Sequence, residues 1–258
     1  MKIKEWCTVI SQEEIGKDIY SMWLQTEQIG KEAKAGQFIS LYTGEGSKLL
    51  PRPISLCEID SENSRLRIVY RGTGAKTGTE IFSRMKEGGR VEVLGPLGNG
   101  FPLEEAQGKK VFLMGGGIGI PPMVETAKQI AGDVTVIAGY RDELFLTEEL
   151  EKAGHLYVAT EDGSAGTRGN VMDAIREHHL EADVIFACGP TPMLRAIKAY
   201  AEEEKIPCWI SMEEKMACGV GACLACVCKS KEVDGHSHVH NKRICKDGPV
   251  FLASEVEL

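Results

Sequence analysis

The sequence predicts a multidomain β plus α/β chain: an antiparallel β-barrel, then an α/β domain with a parallel sheet, then a small C-terminal cysteine-rich module. Residues 2–100 hold short apolar stretches cut by turn residues at intervals of roughly eight to twelve positions, which is typical of an all-β domain. Beyond residue 100, apolar runs alternate with helical patterns, as in parallel α/β sheets. The 258 residues suffice for two cores and an appendage, and we place the domains at 1–100, 101–211 and 212–258.

Composition and charge exclude several functional classes. Hydrophobic residues make up 43% of the chain and charged residues 26%, as in soluble globular proteins. A net charge of -8 argues against nucleic-acid binding, which needs a basic face. No apolar run approaches the ~20 residues of a membrane span, and the N-terminus has no apolar signal core. We therefore expect a cytoplasmic protein without a membrane contact, whose nine cysteines are thiols or metal ligands rather than disulfides.

The first domain contains six predicted strands and one short helix. Six short strands without a long helix favour a small closed barrel. The turns around 44–46 and 60–63 fit hairpin ends. The strands are predicted at 3–10, 18–27, 37–43, 53–59, 65–70 and 90–94, and the helix at 79–85.

Two polar stretches in this domain suit a phosphate-bearing ligand. Arg52-Pro53-Ile54-Ser55 leads into a strand and places a guanidinium near a hydroxyl. Residues 70–79 are rich in glycine and hydroxyl groups, which can form an anion-binding nest of amides before the helix. The first stretch alone is more often a turn with a surface arginine. Together the two stretches predict a dinucleotide site in the barrel.

The second domain has the pattern of a parallel sheet covered by helices on both faces. Residues 95–100 are interpreted as the link that leads into it. Ligands of such sheets bind at the carboxyl ends of the strands. Strands are predicted near 110–114, 133–138, 155–160, 183–187 and 207–211, and helices near 122–131, 147–153, 171–178 and 191–204.

A glycine turn after the first of these strands is the clearest nucleotide signal. Its amides and the dipole of the following helix suit a pyrophosphate. Ile120 occupies the position of the last glycine in G-x-G-x-x-G, so the common Rossmann fingerprint is absent, and a tight corner without a ligand is the simpler alternative. The turn consists of Gly115, Gly116, Gly117, Ile118 and Gly119.

Two further strand ends point to the same edge of the sheet. Glu161 and Asp162 follow the third strand and favour a ribose hydroxyl, hence NADH over NADPH, although Arg141 and Arg168 weaken that inference. Cys188 ends the fourth strand and is followed by Gly189 and Pro190; a cysteine in this position is more often a core residue than a catalytic one.

The C-terminal module contains four cysteines, Cys218, Cys223, Cys226 and Cys245, in the pattern C-x4-C-x2-C…C. This is the ligand spacing of plant-type 2Fe-2S ferredoxins. The intervening residues are small, so the backbone can wrap closely around a cluster. Buried structural thiols, or a zinc site completed by His236, His238 or His240, are the alternatives. Cys228 fits neither pattern as a ligand.

The order of these motifs along the whole chain resembles the electron-transfer subunit of the NAD-linked, two-subunit dihydroorotate dehydrogenases, within the ferredoxin-NADP reductase superfamily. The stretch at 52–55 and the cysteine pattern are the most specific parts of the resemblance. Ile54 departs from the wider superfamily, where many members carry an aromatic residue that covers the flavin ring. The resemblance implies FAD at Arg52, Pro53, Ile54, Ser55, Val69, Tyr70, Arg71, Gly78 and Thr79; NAD(H) at residues 115–119, Glu161, Asp162, Gly189 and Pro190, with Cys188 near the nicotinamide; and a 2Fe-2S cluster at the four cysteines.

The resemblance also implies a division of labour between two subunits. NADH donates a hydride and a cluster accepts single electrons, so a flavin that handles both must stand between them. Oxidation of dihydroorotate to orotate, in pyrimidine biosynthesis, requires a partner FMN barrel subunit of ~250 residues, for which this chain has no room. We expect a heterotetramer with two copies of each subunit. The alternatives are a reductase subunit of the same build for ferredoxin/NADP, sulfide, polysulfide or a bifurcating transhydrogenase, and a zinc-stabilised NADH-sensing module.

Overall fold

The computed structural model describes residues 2–74, 77–233, 235 and 238–258. It comprises a closed six-stranded barrel, a seven-stranded sheet flanked by helices, and a two-stranded hairpin near the C-terminus. The fold class expected from the sequence is confirmed. Residues 75 and 76 of the predicted amide nest, and His236 of the alternative zinc site, lie outside the described residues.

The barrel is antiparallel and closes in the order β1-β2-β5-β4-β3-β6. Alternate residues of its strands, such as Met22 and Leu24 or Ile39 and Leu41, fill the interior, as a period of two requires. All six predicted strands are present. Their bounds are β1 (Ile3–Gly16), β2 (Ile19–Gln25), β3 (Phe38–Tyr42), β4 (Arg52–Asp60), β5 (Arg65–Arg71) and β6 (Arg90–Leu97), with short helices α1 (Ile29–Glu32) and α2 (Gly78–Ser83).

Two strands continue well beyond their predicted ends. β1 continues to Gly16, where exposed polar residues pair with β2 and hide the strand from a hydrophobicity pattern. β6 continues to Leu97, where Gly95 pairs with Ile3 and Leu97 pairs with Phe38. The interpretation of 95–97 as part of the interdomain link was therefore wrong, because these residues complete the barrel ladder.

The second domain has its strands in the order β10-β9-β8-β7-β11-β12-β15, the last being Val250–Leu252 near the C-terminus. The first six run parallel, and β7 and β11 at the centre are apolar and buried on both faces. The predicted strands and helices are confirmed, with ends that differ by up to two residues. The elements are β7 (Lys110–Gly116), α3 (Pro121–Gln129), β8 (Asp133–Tyr140), α4 (Thr147–Ala153), β9 (His155–Thr160), β10 (Thr167–Arg168), α5 (Val171–His178), β11 (Val184–Cys188), α6 (Thr191–Glu204) and β12 (Cys208–Ser211).

The C-terminal segment is built into the second domain rather than attached beside it. Its last strand, β15 (Val250–Leu252), pairs antiparallel with β12 and covers what would be an open sheet edge. This antiparallel edge strand adds to the predicted parallel sheet and was not itself predicted. The segment also contains the hairpin β13 (Val227–Lys229) and β14 (Asn241–Arg243), followed by α7 (Ile244–Asp247).

One hydrophobic core joins all three parts of the chain. It contains Phe38 of the barrel, Phe112 of the central sheet, and Cys226, Cys245 and Phe251 of the C-terminal segment. Burial of this shared apolar surface fixes the segment against both domains. Among the described residues, no helix is long and apolar enough to cross a membrane.

An ionic clamp holds the barrel against the helices of the second domain. Arg67 on β5 is 8% exposed and donates to Glu58 Oε2 at 2.6 Å and Glu149 Oε1 at 2.7 Å. Its Nε also donates to Ser21 Oγ at 2.9 Å. Lys128 on α3 pairs with the same Glu58. Burial alone would lower the pKa of Arg67, but its two carboxylate partners outweigh burial and raise it.

Candidate functional site

A cavity of about 740 Å³ lies between the barrel and the carboxyl edge of the sheet. This is where ligands of open α/β sheets bind. Of the nine residues predicted to contact FAD, seven line the cavity, and Gly78 and Thr79 lie beside two of its walls. The seven are Arg52, Pro53, Ile54, Ser55, Val69, Tyr70 and Arg71.

Arg52 is held in place by its own loop and by the turn before α2. Its guanidinium donates to the Leu50 carbonyl at 2.5 Å. A β-carbon at Gly78 would lie only 2.6 Å from Arg52 Nε, so a glycine is required there for the guanidinium to pack on the backbone. Thr79 Oγ1 accepts from the Thr73 amide at 3.3 Å, and Thr73 lines the cavity. The two predicted phosphate-binding stretches therefore meet.

Tyr70 contributes to the site in a way that the sequence did not show. Its hydroxyl donates to Gln12 Oε1 at 2.7 Å inside the barrel, and its ring packs edge-on against Phe82. Burial raises the pKa of Tyr70 far above its usual value, so the phenol stays protonated. Gln12 in turn donates to the Phe82, Ser83 and Met85 carbonyls at 2.9–3.0 Å. Tyr70 thus anchors α2 beside the cavity.

Sequence reasoning missed one whole wall of this cavity. Residues 211–216, from the last residue of β12 towards Cys218, line it together with Phe38 and Pro249. Glu213 lines the cavity with its side chain accessible from it. The surrounding residues keep water away from the carboxyl group, and this desolvation raises its pKa. The available signal was the position of this segment directly after a parallel strand, where ligands are expected.

The glycine turn reaches the same cavity. Gly115 and Gly116 end β7, and Gly117–Gly119 form a 3₁₀ turn before α3. Gly117 has a φ of +52°, and nothing occupies the space beside its α-carbon. Gly119 packs against the Cys188 carbonyl, leaving no room for a side chain. Ile118 lines the cavity, so a nucleotide on this turn would lie next to the flavin residues.

The other residues predicted to contact NAD(H) follow neighbouring strands. Glu161 and Asp162 are exposed after β9. Asp162 accepts from the Ser164 amide at 3.0 Å and its hydroxyl at 2.7 Å, which lowers the pKa of the carboxyl. Gly189 and Pro190 line a second cavity, of about 620 Å³, together with Glu213 and the hairpin residue Val227.

Cys188 is fully buried at the end of β11. Burial, and secondarily the charge of Glu213, raise the pKa of Cys188 well above its usual value. The thiol is therefore neutral and has no direct access to the cavity wall.

The four cluster cysteines form two close pairs. Cys218 lies beside Cys223, and Cys245 lies beside Cys226, whose Sγ accepts from the Cys245 amide at 3.4 Å. Burial would raise the pKa of Cys218, but amide donors at Val220 and Ala222 and the Cys223 thiol outweigh it and lower the pKa to about 6. Burial and the neighbouring Cys226 raise the pKa of Cys245 to about 12.

Backbone amides are directed at the sulfurs of this loop. The Val220 and Ala222 amides lie 3.4 and 3.3 Å from Cys218 Sγ, and the Gly221 amide lies 3.1 Å from Cys245 Sγ. Gly219 and Gly221 have φ values of +68° and +84°, which explains the need for glycine. Amide donors around paired thiols are the environment that an anionic iron-sulfur cluster requires.

His240 and Cys228, which lie near the four cysteines in the sequence, each contact a backbone carbonyl. Among the described residues, no three Cys, His, Asp or Glu side chains converge as ligands of a single ion would. His240 Nδ1 lies 2.9 Å from the Lys231 carbonyl, in the loop of the β13–β14 hairpin. Cys228 Sγ donates to the Lys242 carbonyl at 3.6 Å.

The chain matches two family profiles. One, described as "Iron-sulfur cluster binding domain of dihydroorotate dehydrogenase B", covers residues 213–257. The other, "Oxidoreductase NAD-binding domain", covers residues 113–199. The two profiles coincide with the cysteine-rich segment and with the sheet that carries the glycine turn.

Full-length relatives agree with these profiles. The dihydroorotate dehydrogenase B (NAD(+)), electron transfer subunit of Bacillus cereus (strain B4264) is 42% identical over 266 aligned residues, which span 100% of both chains. An NADH-dependent reduced ferredoxin-NADP oxidoreductase structure superimposes with a TM-score of 0.85 at 30% identity, covering 97% of this chain and 89% of the other.

A more distant structure shares the fold of the first two domains. A ferredoxin NADP+ reductase from Neisseria gonorrhoeae, solved with bound FAD and NADP, has a TM-score of 0.63 at 16% identity, covering 78% of this chain and 91% of that one. With 42% identity over its full length, the present chain belongs to the family of the electron transfer subunits of NAD-linked dihydroorotate dehydrogenase B.

Proposed function

We propose that this chain carries electrons between NAD(H) and a dihydroorotate-oxidising partner subunit, through FAD and a 2Fe-2S cluster. The observation that carries this proposal is the shared cavity. The cavity is lined by the barrel residues that are predicted to bind FAD, by Ile118 of the glycine turn, and by residues 211–216, which precede the cysteine-rich loop. Sites for a two-electron donor, a flavin and a one-electron carrier are therefore adjacent.

The flavin supplies the exchange between two-electron and one-electron chemistry when it is bound. The protein holds it in the cavity through Arg52, Pro53, Ile54, Ser55, Val69, Tyr70 and Arg71, with Gly78 and Thr79 behind them. A guanidinium suits the pyrophosphate, because it offers a fork of donors to phosphate oxygens.

The NAD(H) site extends from the glycine turn along the carboxyl ends of β8, β9 and β11. Residues 115–119 receive the pyrophosphate at the start of α3. Glu161 and Asp162 contact the ribose hydroxyls, which favours NADH. Gly189 and Pro190 border the nicotinamide end, where Cys188 contributes a neutral thiol behind the wall.

The cluster has an inner and an outer side. Cys226 and Cys245 are buried in the core that includes Phe38, a residue of the cavity wall. Cys223 is exposed, and Leu224 next to it is 43% exposed. Electrons therefore have a short path from the cavity through the inner thiols to the surface at Cys223, where the partner docks.

The partner is the dihydroorotate dehydrogenase catalytic subunit, an FMN barrel, in a complex of two copies of each chain in the cytoplasm. An affinity-tagged chain expressed in its native cytosol should retain this subunit, and the complex should reduce NAD with dihydroorotate. The protein should be reddish brown from flavin and iron-sulfur absorption. A colourless protein with stoichiometric zinc would contradict the proposal.

A second function is favoured by one observation, the 30% identity and TM-score of 0.85 to the reduced ferredoxin-NADP oxidoreductase structure. On this alternative, the chain serves a larger NADPH-linked flavoprotein. Recovery of such a partner, with no orotate formed, would select it over dihydroorotate oxidation.

A further inference from the structure

Ser40 carries a hydroxyl that no group in the described structure satisfies. Its side chain is 0% exposed, and its Oγ is the one buried side-chain nitrogen or oxygen without a hydrogen-bond partner among the described residues. Such a group is costly, because it has lost its water and gained no partner. A buried orphan hydroxyl therefore points to a missing acceptor or donor.

The position of Ser40 identifies where that partner lies. It sits on β3, opposite Pro53 and Leu94 in the ladder, and its side chain is on the outside of the barrel because Ile39 and Leu41 fill the interior. A β-carbon on Gly219 would lie 3.2 Å from Ser40 Oγ. The hydroxyl thus faces the backbone of the cluster loop, one residue after Cys218.

Three backbone amides of this loop already donate to cysteine sulfurs. The Val220 and Ala222 amides point at Cys218 Sγ, and the Gly221 amide points at Cys245 Sγ. Hydrogen bonds to cluster sulfurs tune the reduction potential. The hydroxyl of Ser40 comes to this loop from the barrel, which also carries the residues predicted to bind FAD.

We propose that the Ser40 hydroxyl donates a hydrogen bond to a sulfur on the Cys218 side of the cluster and thereby raises the reduction potential of the cluster. The added electron increases the negative charge on the sulfurs, so a donor stabilises the reduced form more than the oxidised form. Ser40 would act as a tuning residue, and it lies on the strand whose Phe38 lines the flavin cavity. This inference rests on the proposed function, since it requires the cluster.

The test is an EPR-monitored redox titration of the holoprotein carrying Ser40→Ala. Loss of the donor should shift the cluster potential to a more negative value, changing the reduced-to-oxidised ratio at a fixed potential by about tenfold, or roughly 59 mV for one electron. The flavin potential, followed optically, should not change. In D₂O, pulsed EPR of the wild type should show an exchangeable deuteron that Ser40→Ala lacks.

Two controls make the result specific. Ser40→Thr keeps the hydroxyl and should restore most of the shift. Ser21→Ala removes another buried serine, which bonds Arg67 in the interdomain clamp, and should leave the cluster potential unchanged. An unchanged cluster potential in Ser40→Ala, or a shift of the flavin potential alone, would overturn the inference. Iron content and the EPR signal of the wild type test the cluster itself, so failure of the proposed function would be recognised separately.

Discussion

Cys228 lies two residues beyond Cys226, yet its surroundings are those of a structural thiol. Burial raises the pKa of Cys228, and its Sγ donates to the Lys242 carbonyl at 3.6 Å across the hairpin. Cys218, in contrast, receives two backbone amides, which lower its pKa to about 6. Backbone amides donate to Cys218 Sγ and Cys245 Sγ, whereas Cys228 Sγ is itself a donor, so the local hydrogen bonding separates a predicted ligand from a neighbour of the same residue type.

Replacement of single cysteines by serine checks this separation. Cys218→Ser, Cys223→Ser, Cys226→Ser and Cys245→Ser should each lose most of the bound iron, because each removes one of four ligands. Cys228→Ser should keep the wild-type iron content. Iron and acid-labile sulfide per chain are the measurements. Iron lost from Cys228→Ser but kept in Cys245→Ser would refute the assignment.

We expect the affinity for FAD to depend directly on Arg52. It lies on the cavity wall and is packed on Gly78. Arg52→Ala should weaken FAD binding by roughly 2–4 kcal/mol, since a charge-assisted contact to the ligand is lost. Arg84→Ala, which removes an exposed arginine paired with Glu80 on α2, is the control. Flavin occupancy after dialysis should fall only in the first variant.

At the scale of elements, the pairing of β4 and β5 with α3 and α4 depends on the buried Arg67. The side chains of Arg67 and Glu58 are only 10% and 14% exposed in their 2.6 Å ion pair. Two carboxylates share this one guanidinium, while Lys128 neutralises part of the excess negative charge at Glu58. Removal of the arginine leaves charges buried without compensation, which is costly.

Arg67→Ala should lower the free energy of unfolding by about 3–5 kcal/mol. Arg176→Ala is a matched control, since its ion pair with Asp173 is solvent-exposed and should contribute at most about 1 kcal/mol. Urea titrations of the two variants measure the difference. Equal, small effects would show that the clamp does not hold the two domains together.

Acidification should weaken the same clamp. Burial alone would raise the pKa of Glu58, but hydrogen bonds from Lys128 and Arg67 outweigh it and lower the pKa below the usual 4.5. The carboxylate therefore stabilises the folded state above pH 4.5, and this contribution is lost as the pH falls through the lower folded-state value. Unfolding free energies at pH 7 and pH 4 should differ less in Glu58→Gln than in the wild type.

Helices and strands with a regular spacing of apolar residues could be predicted from the sequence. Strands that form only because a neighbouring strand offers them a pairing edge could not. β9 and α4–α6 agree with their predicted bounds because apolar spacing and caps such as Asn170 are local signals. The polar end of β1 and the edge strand β15 carry no such signal. β15 becomes a strand because β12 offers it an unpaired edge.

The candidate site shows the same limit. Motifs of glycine, arginine and cysteine could be recognised, since those residue types are required by backbone geometry, phosphate or iron. The cavity wall at 211–216 and the hydroxyl of Ser40 could not, because they acquire their roles only when the barrel, sheet and cluster loop pack together.

At the scale of the whole molecule, the shared core joins the flavin cavity and the cysteine-rich loop into one electron-transfer unit. Electrons can enter or leave this unit at the cavity or at the surface near Cys223. Phe38, Cys226 and Cys245 belong to one core, which brings the inner thiols near the flavin cavity. Cys223 is at the surface. Reduction of the flavin by NADH needs only the cavity, whereas transfer to another protein also needs the cluster.

This arrangement predicts a selective loss in Cys223→Ser. NADH should still reduce the flavin of this variant, and a dye that accepts electrons directly from flavin should be reduced at close to the wild-type rate. Reduction of NAD by dihydroorotate in the reconstituted complex should fall at least tenfold, because this variant loses the electron path through Cys218 and Cys223, the pair nearer the surface. Cys228→Ser should retain both activities, since its thiol is bonded to the hairpin. Stopped-flow absorbance separates the two steps, and equal loss of both in Cys223→Ser would show that the cluster loop also shapes the flavin cavity. Retention of dihydroorotate-dependent activity would place the outlet elsewhere on the surface.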